Sequence, residues 1–153
     1  ETSSNDHWES CEDTRNIEVL AINKYFINEQ TAHILASLSF PQLETLALSS
    51  IEYSGDSWTL LSQMAWWRQL RSLTVKMAFE QKQLGAFLAA VSLAPLETLA
   101  LSGFQHDFHQ HIASHIQLPQ LEQLALDKHT RQEVLDAYQQ APGLSKECKI
   151  FCR

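Results

Sequence analysis

The stretch Leu43-Glu-Thr-Leu-Ala-Leu-Ser49 returns unchanged as Leu96-Glu-Thr-Leu-Ala-Leu-Ser102. Seven identical residues in a chain of 153 mark an internal repeat. The same skeleton, aliphatic at positions one, four and six, occurs three more times. Its other copies are Ile17-Glu-Val-Leu20-Ala-Ile22, Leu70-Arg-Ser-Leu73-Thr-Val75 and Leu121-Glu-Gln-Leu124-Ala-Leu126. The hexads start at 17, 43, 70, 96 and 121, so the intervals are 26, 27, 26 and 25. A degraded sixth copy is expected to begin near Leu144 and to run through Cys148 and Ile150. Pro41, Pro119 and Pro142 stand just before three of these units and interrupt whatever precedes them.

Helical periodicity fills the intervals. Residues 29–38 place Ala32, Leu35 and Leu38 on one face, and residues 56–65 do so with Trp58, Leu61 and Met64 behind an Asp56 or Ser57 N-cap. Residues 80–92 align Leu84, Phe87, Leu88 and Val91. Residues 106–116 align Phe108, Ile112 and Ile116. Residues 130–140 align Val134, Leu135 and Tyr138, with Thr130 as the N-cap. A short strand, a turn and a helix cannot bury their apolar faces alone, but stacked copies can. The expected arrangement is α/β, with a parallel sheet on one side and helices on the other.

The pattern L-x-x-L-x-L at this spacing resembles the leucine-rich repeat in its helix-bearing, ribonuclease-inhibitor-like form. The resemblance covers roughly residues 17–150. It implies a right-handed solenoid with a parallel inner sheet and outer helices, of about five and a half repeats over residues 17–153, behind an N-terminal capping segment at 1–16 around Trp8 and Cys11. It also implies a noncatalytic module that binds another protein, or another domain of the parent chain, on the inner face of the sheet. The chain departs from the family where Asn or Cys usually follows the strand, and has Tyr25, Ile51, Ala78, Phe104 and His129 there. Apolar packing is expected to replace the missing polar ladder, as in the irregular repeats of F-box-type and bacterial leucine-rich proteins.

On the inner face the outward rows read Val19, Thr45, Ser72, Thr98, Gln123, then Ala21, Ala47, Thr74, Ala100, Ala125, then Asn23, Ser49, Lys76, Ser102, Asp127. Such a floor is either functionally quiet or admits another segment at close range. The candidate contact residues are Thr45, Ala47, Ser72, Thr74, Lys76, Thr98 and Ala100. Trp66 joins them as a candidate exposed anchor, because its equivalents Ser39, Ser92 and Gln117 are polar, whereas Trp67 matches Phe40, Leu93 and Leu118 and is expected in the core. Phe26 and Phe79 are candidates for an aromatic patch on the rim. The second positions, Glu18, Glu44, Arg71, Glu97 and Glu122, read as a solvated rim with Arg71 between two carboxylates, or as a row that selects a basic partner.

The net charge is −7, of which Glu1, Asp6, Glu9, Glu12 and Asp13 supply −5. No basic face is visible, which argues against nucleic acid. No run of about 18 apolar residues exists, which argues against a membrane span. Cys11, Cys148 and Cys152 form no disulfide framework or zinc half-site, and they are expected as buried thiols in a reducing, cytoplasmic setting. The start at Glu1 suggests a processed chain or a piece of a longer one. Gly-rich phosphate loops, G-x-S-x-G, H-E-x-x-H and paired C-x-x-C are missing, so no enzyme or cofactor is expected. Two rival readings remain. One is the ligand- or substrate-sensing arm of a multidomain adaptor or sensor. The other is a metal-dependent activity at His109, His111 and His115, the last two of which share a helix face one turn after Asp107.

Overall fold

The computed structural model describes residues 14–24, 26–50, 52–53, 56–76 and 83–153, leaving out the side chains of Phe26 and Glu52. The repeated hexads form strands: β1 (Val19–Asn23), β3 (Thr45–Ser49), β5 (Ser72–Lys76), β6 (Thr98–Ser102) and β7 (Gln123–Leu126). With β8 (Lys149–Cys152) they make one six-stranded parallel sheet in the order β1-β3-β5-β6-β7-β8. Two short strands, β2 (Phe26–Ile27) and β4 (Glu52–Tyr53), pair in parallel beside it. The sheet order is strictly sequential, with helices between strands: α1 (Glu29–Ala36), α2 (Ser57–Ser62), α3 (Leu84–Val91), α4 (His106–His115) and α5 (Gln132–Gln139).

The register follows the sequence alignment residue for residue. Val19, Thr45, Ser72, Thr98 and Gln123 are successive partners, as are Leu20, Leu46, Leu73, Leu99 and Leu124. Alternation along a strand sends positions four and six to one face and three and five to the other. The aliphatic face of the five hexad strands is buried and joins the helices in a single core that includes Leu35, Leu61, Phe87, Ile112 and Tyr138. The position-two backbones carry the ladder on below the strands: Arg71 N–H donates to the Glu44 carbonyl at 2.8 Å and Glu97 N–H to that of Arg71 at 2.7 Å. Among the described residues the Arg71 guanidinium pairs with Glu97, not with a carboxylate on each side.

Several expectations shift. The sixth copy starts later than Leu144: Ile150 pairs with Leu124 and Cys152 with Leu126, so Glu147 holds position one. Leu144 instead bridges to Leu118, in the row of Phe40 and Trp67. That row slips in the fourth repeat, where Leu93 is exposed and Ala94 is buried. The Trp67 indole donates to the Ala90 carbonyl at 2.8 Å, which places it beside the end of α3, where Leu93 would otherwise enter. Cys148 and Cys152 are free and half-buried rather than core thiols, because β8 is the sheet edge. Burial pushes the Cys148 thiol up from its ordinary value.

The helix starts also differ. Asn28 caps α1 by accepting from Thr31 N–H, but Asp56 gives α2 no side-chain cap, and α5 starts after Arg131 while the Thr130 hydroxyl turns back to the Asp127 carbonyl. Gly143 is required by packing, since a Cβ there would lie 1.6 Å from the Ile116 carbonyl oxygen. Gly103 has φ 82°, in the left-handed region that favours glycine.

The expected apolar substitute for a polar ladder is visible at Phe104, which is buried. It belongs to a file of rings that crosses four repeats: Tyr53–Trp58 at 4.8 Å, Trp58–Phe87 at 4.8 Å, Phe87–Phe104 at 6.2 Å, Phe104–His109 at 5.7 Å and His109–Tyr138 at 5.6 Å. His129, the last residue of that row, is exposed. Tyr25, Ile51 and Ala78, the rim pair Phe26 and Phe79, and residues 1–13 of the capping segment lie outside the described residues and side chains. No described helix is long and apolar enough to cross a membrane.

Candidate functional site

The sheet face turned away from the helices carries the residues singled out from the sequence. Thr45, Ala47, Ser72, Thr74 and Thr98 are half-buried and lie in aligned rows, and Lys76 is exposed at the end of β5. Ala100 belongs to the same row by register but is only 4% exposed. Its methyl sits between Thr74 and Ala125, and Ala125 between Ala100 and Phe151, so both are recessed beneath longer neighbours. The result is a shallow depression of about 270 Å³ on this face, floored by Ala100 and Ala125 and edged by Thr74, Lys76, Ser102 and Arg153. At the near edge of the sheet Val19 stands 61% exposed.

Trp66 is not an exposed anchor. It is 4% exposed and meets Phe40 edge-on at 5.9 Å and Trp67 at 6.1 Å. The five residues Ala65–Gln69 form a 3-10 turn, and its tighter winding brings both indoles inward. Gln69 holds the turn in place by donating to the carbonyls of Phe40 at 2.8 Å and Leu43 at 3.0 Å. Trp66 thus belongs to the packing between repeats and not to the sheet face.

The histidines separate into two kinds. His109 is 3% exposed and occupies, one repeat on, the core position of Leu84. Its Nδ1 lies 2.8 Å from the Tyr138 hydroxyl. Burial lowers its pKa to about 4, Asp127 opposes that shift, and His106 adds to it, so the ring is neutral near pH 7. Burial likewise pushes the Tyr138 phenol up from its ordinary value. His111 and His115 are exposed and stack on each other at 4.5 Å, with His115 Nδ1 3.0 Å from the His111 carbonyl. The suggested trio is therefore not assembled, because one ring points into the core and two lie outside. Among the described residues no group of three His, Cys, Asp or Glu side chains is placed to hold a metal. The expected face holds at Ile112 and Ile116, which are buried, and Phe108 packs half-buried against the core, but His109 lies deeper than Phe108.

A second concavity was not foreseen. A cavity of about 580 Å³ opens at the carboxyl ends of β7 and β8 and the amino ends of α4 and α5. Phe104, His109 and Val134 line its inner part; His106, Asp127, Lys128, His129, Arg131 and Arg153 line its mouth. Asp127 is engaged there, accepting from Gly103 N–H at 2.9 Å. The sequence signal that could have found this place is the repeat period itself: Arg153 N–H donates to the Leu126 carbonyl at 3.0 Å, one repeat back, which sets Arg153 beside Asp127. In comparisons with known proteins, no family model, no curated protein and no solved structure matches this chain.

Proposed function

We propose that the chain is a leucine-rich-repeat solenoid that acts as a noncatalytic protein-binding or scaffold module. The open sheet face is its contact surface, and another protein, or another domain of the parent chain, is its partner. The observation that carries this reading is the aligned, uncharged floor of Thr45, Ala47, Ser72, Thr74 and Thr98, half-buried and without a helix against it. Small side chains let a second backbone come close, and the rows repeat at strand spacing, about 4.8 Å, so an extended segment laid across the strands meets equivalent positions in turn. Lys76, Asp127 and Arg153 at one edge would fix its direction through charge.

The experiment is crosslinking capture from the source lysate, read by mass spectrometry. The wild type is compared with an Ala47→Arg/Thr98→Arg variant and with Gln110→Arg on exposed α4. The reading requires a partner that the sheet-face variant loses and the α4 variant keeps. Equal capture by all three proteins refutes it.

A further inference from the structure

We propose that the cavity between the fourth and fifth repeats is a binding site for a small organic anion. The ligand would place its acidic group among Lys128, Arg131 and Arg153 and its apolar body against Phe104 and Val134. This site meets the sheet face at Asp127 and Arg153, but its other lining residues lie beyond the strand ends, and it does not depend on that face being used.

Three observations converge on it. The first is the charge contrast. The whole chain has 11 Lys and Arg against 18 Asp and Glu. At the cavity the balance reverses, to three Lys and Arg against the single carboxylate of Asp127, which is already tied to Gly103 N–H. Arginine forks match phosphate and carboxylate oxygens in pairs, and lysine adds a point charge.

The second is the polar lining. α4 and α5 start at the cavity without a side-chain cap, a feature they share with α2 and α3, so the uncapped N–H groups add to the cations there and do not by themselves single out the place. His106 Nδ1 is buried there without a hydrogen-bond partner among the described residues. The third is size and lining. About 580 Å³ lies within the range of small-molecule sites, roughly 300–1,000 Å³, which combine an apolar wall with a few converging polar groups. A free phosphate would use the mouth and leave the Phe104 and Val134 wall empty, so the ligand is an organic anion and not a bare ion.

The test is an amide NMR titration of the full chain with phenyl phosphate, benzoate, inorganic phosphate and, as the neutral control, benzyl alcohol. The expected result is saturable movement of the Gly103, Phe104, His109 and Val134 signals with phenyl phosphate or benzoate, and which of the two binds tighter names the acidic group. Arg131→Gln/Arg153→Gln should weaken that binding by about tenfold or more. Lys146→Gln/Lys149→Gln, which removes the same charge at the other end of β8, should leave it unchanged. Melting curves check that both variants are folded, and Lys128→Gln gives a second reading if the double variant melts early. The proposal is overturned if neither organic anion moves those signals saturably, if both double variants weaken binding alike, or if inorganic phosphate or benzyl alcohol binds as tightly.

Discussion

Acid should unfold this protein through His109. A histidine in an unfolded chain takes up its proton near pH 6.5, but burial holds His109 neutral down to about pH 4. Between those values the unfolded state binds a proton that the folded state refuses, so stability falls as the pH falls. The loss from this one ring is close to nothing at neutral pH, about 2 kcal/mol by pH 5 and about 3 kcal/mol by pH 4, where it levels off because the folded state then protonates too. Against a typical domain stability of roughly 5–15 kcal/mol this is a large share.

The assay is urea unfolding over a pH series, comparing wild type with His109→Leu, which installs the residue that the preceding repeat already has at Leu84. The variant leaves the Tyr138 hydroxyl without its partner, an offset of about 1–3 kcal/mol that does not depend on pH in this range. The decisive quantity is therefore the difference in slope, which a pH-independent offset does not change. Wild type should lose about 3 kcal/mol more than His109→Leu between about pH 7.5 and pH 4. Parallel curves would show that His109 is solvated and not a core residue.

Five further substitutions test the packing. Leu99→Ala, at a fully buried position, should cost about 2–5 kcal/mol in chemical denaturation, whereas Thr98→Ala on the opposite face should change stability by less than about 0.5 kcal/mol; similar costs would mean a wrong strand register. Trp67→Phe removes the indole bond to the Ala90 carbonyl, which keeps the Leu93 N–H at 3.1 Å, and should cost about 0.5–1.5 kcal/mol by the same measurement, while Trp66→Phe, whose indole nitrogen has no partner among the described residues, should cost less. Gly143→Ala drives a methyl into the Ile116 carbonyl and should lower stability by at least about 1–3 kcal/mol, with the amide of Leu118, now bonded to Gly143 at 2.9 Å, exchanging faster in hydrogen-exchange NMR.

The strand positions were legible in the sequence because burial in a parallel sheet repeats at a fixed interval. Positions one, four and six must be aliphatic in every copy, so five copies state the same requirement. Positions read from a single copy were less secure. Trp66 looked like an anchor because its equivalents are polar, but the 3-10 turn that carries it inward follows from backbone winding that no alignment of the copies displays. The core place of His109 was not legible because Phe108 beside it is the more apolar side chain. The structure instead keeps the i, i+3 relation to Ile112 and accepts an imidazole in the core by giving it Tyr138.

The cationic cavity was hidden for a different reason. Lys128 and Arg131 stand near each other in sequence, but Arg153 is a full repeat away, and their charges are outnumbered when the whole chain is averaged. Only the parallel register, which sets the end of β8 beside the end of β7, adds Arg153 to them. The same register explains why the aliphatic code says so little about what the protein binds. It commits one face of each strand to the core and leaves the opposite face, and the loops beyond the strand ends, free to vary from copy to copy. Where the copies agree they report stability. The cavity draws on Phe104, Lys128, Arg131 and Arg153, residues that the hexad does not constrain.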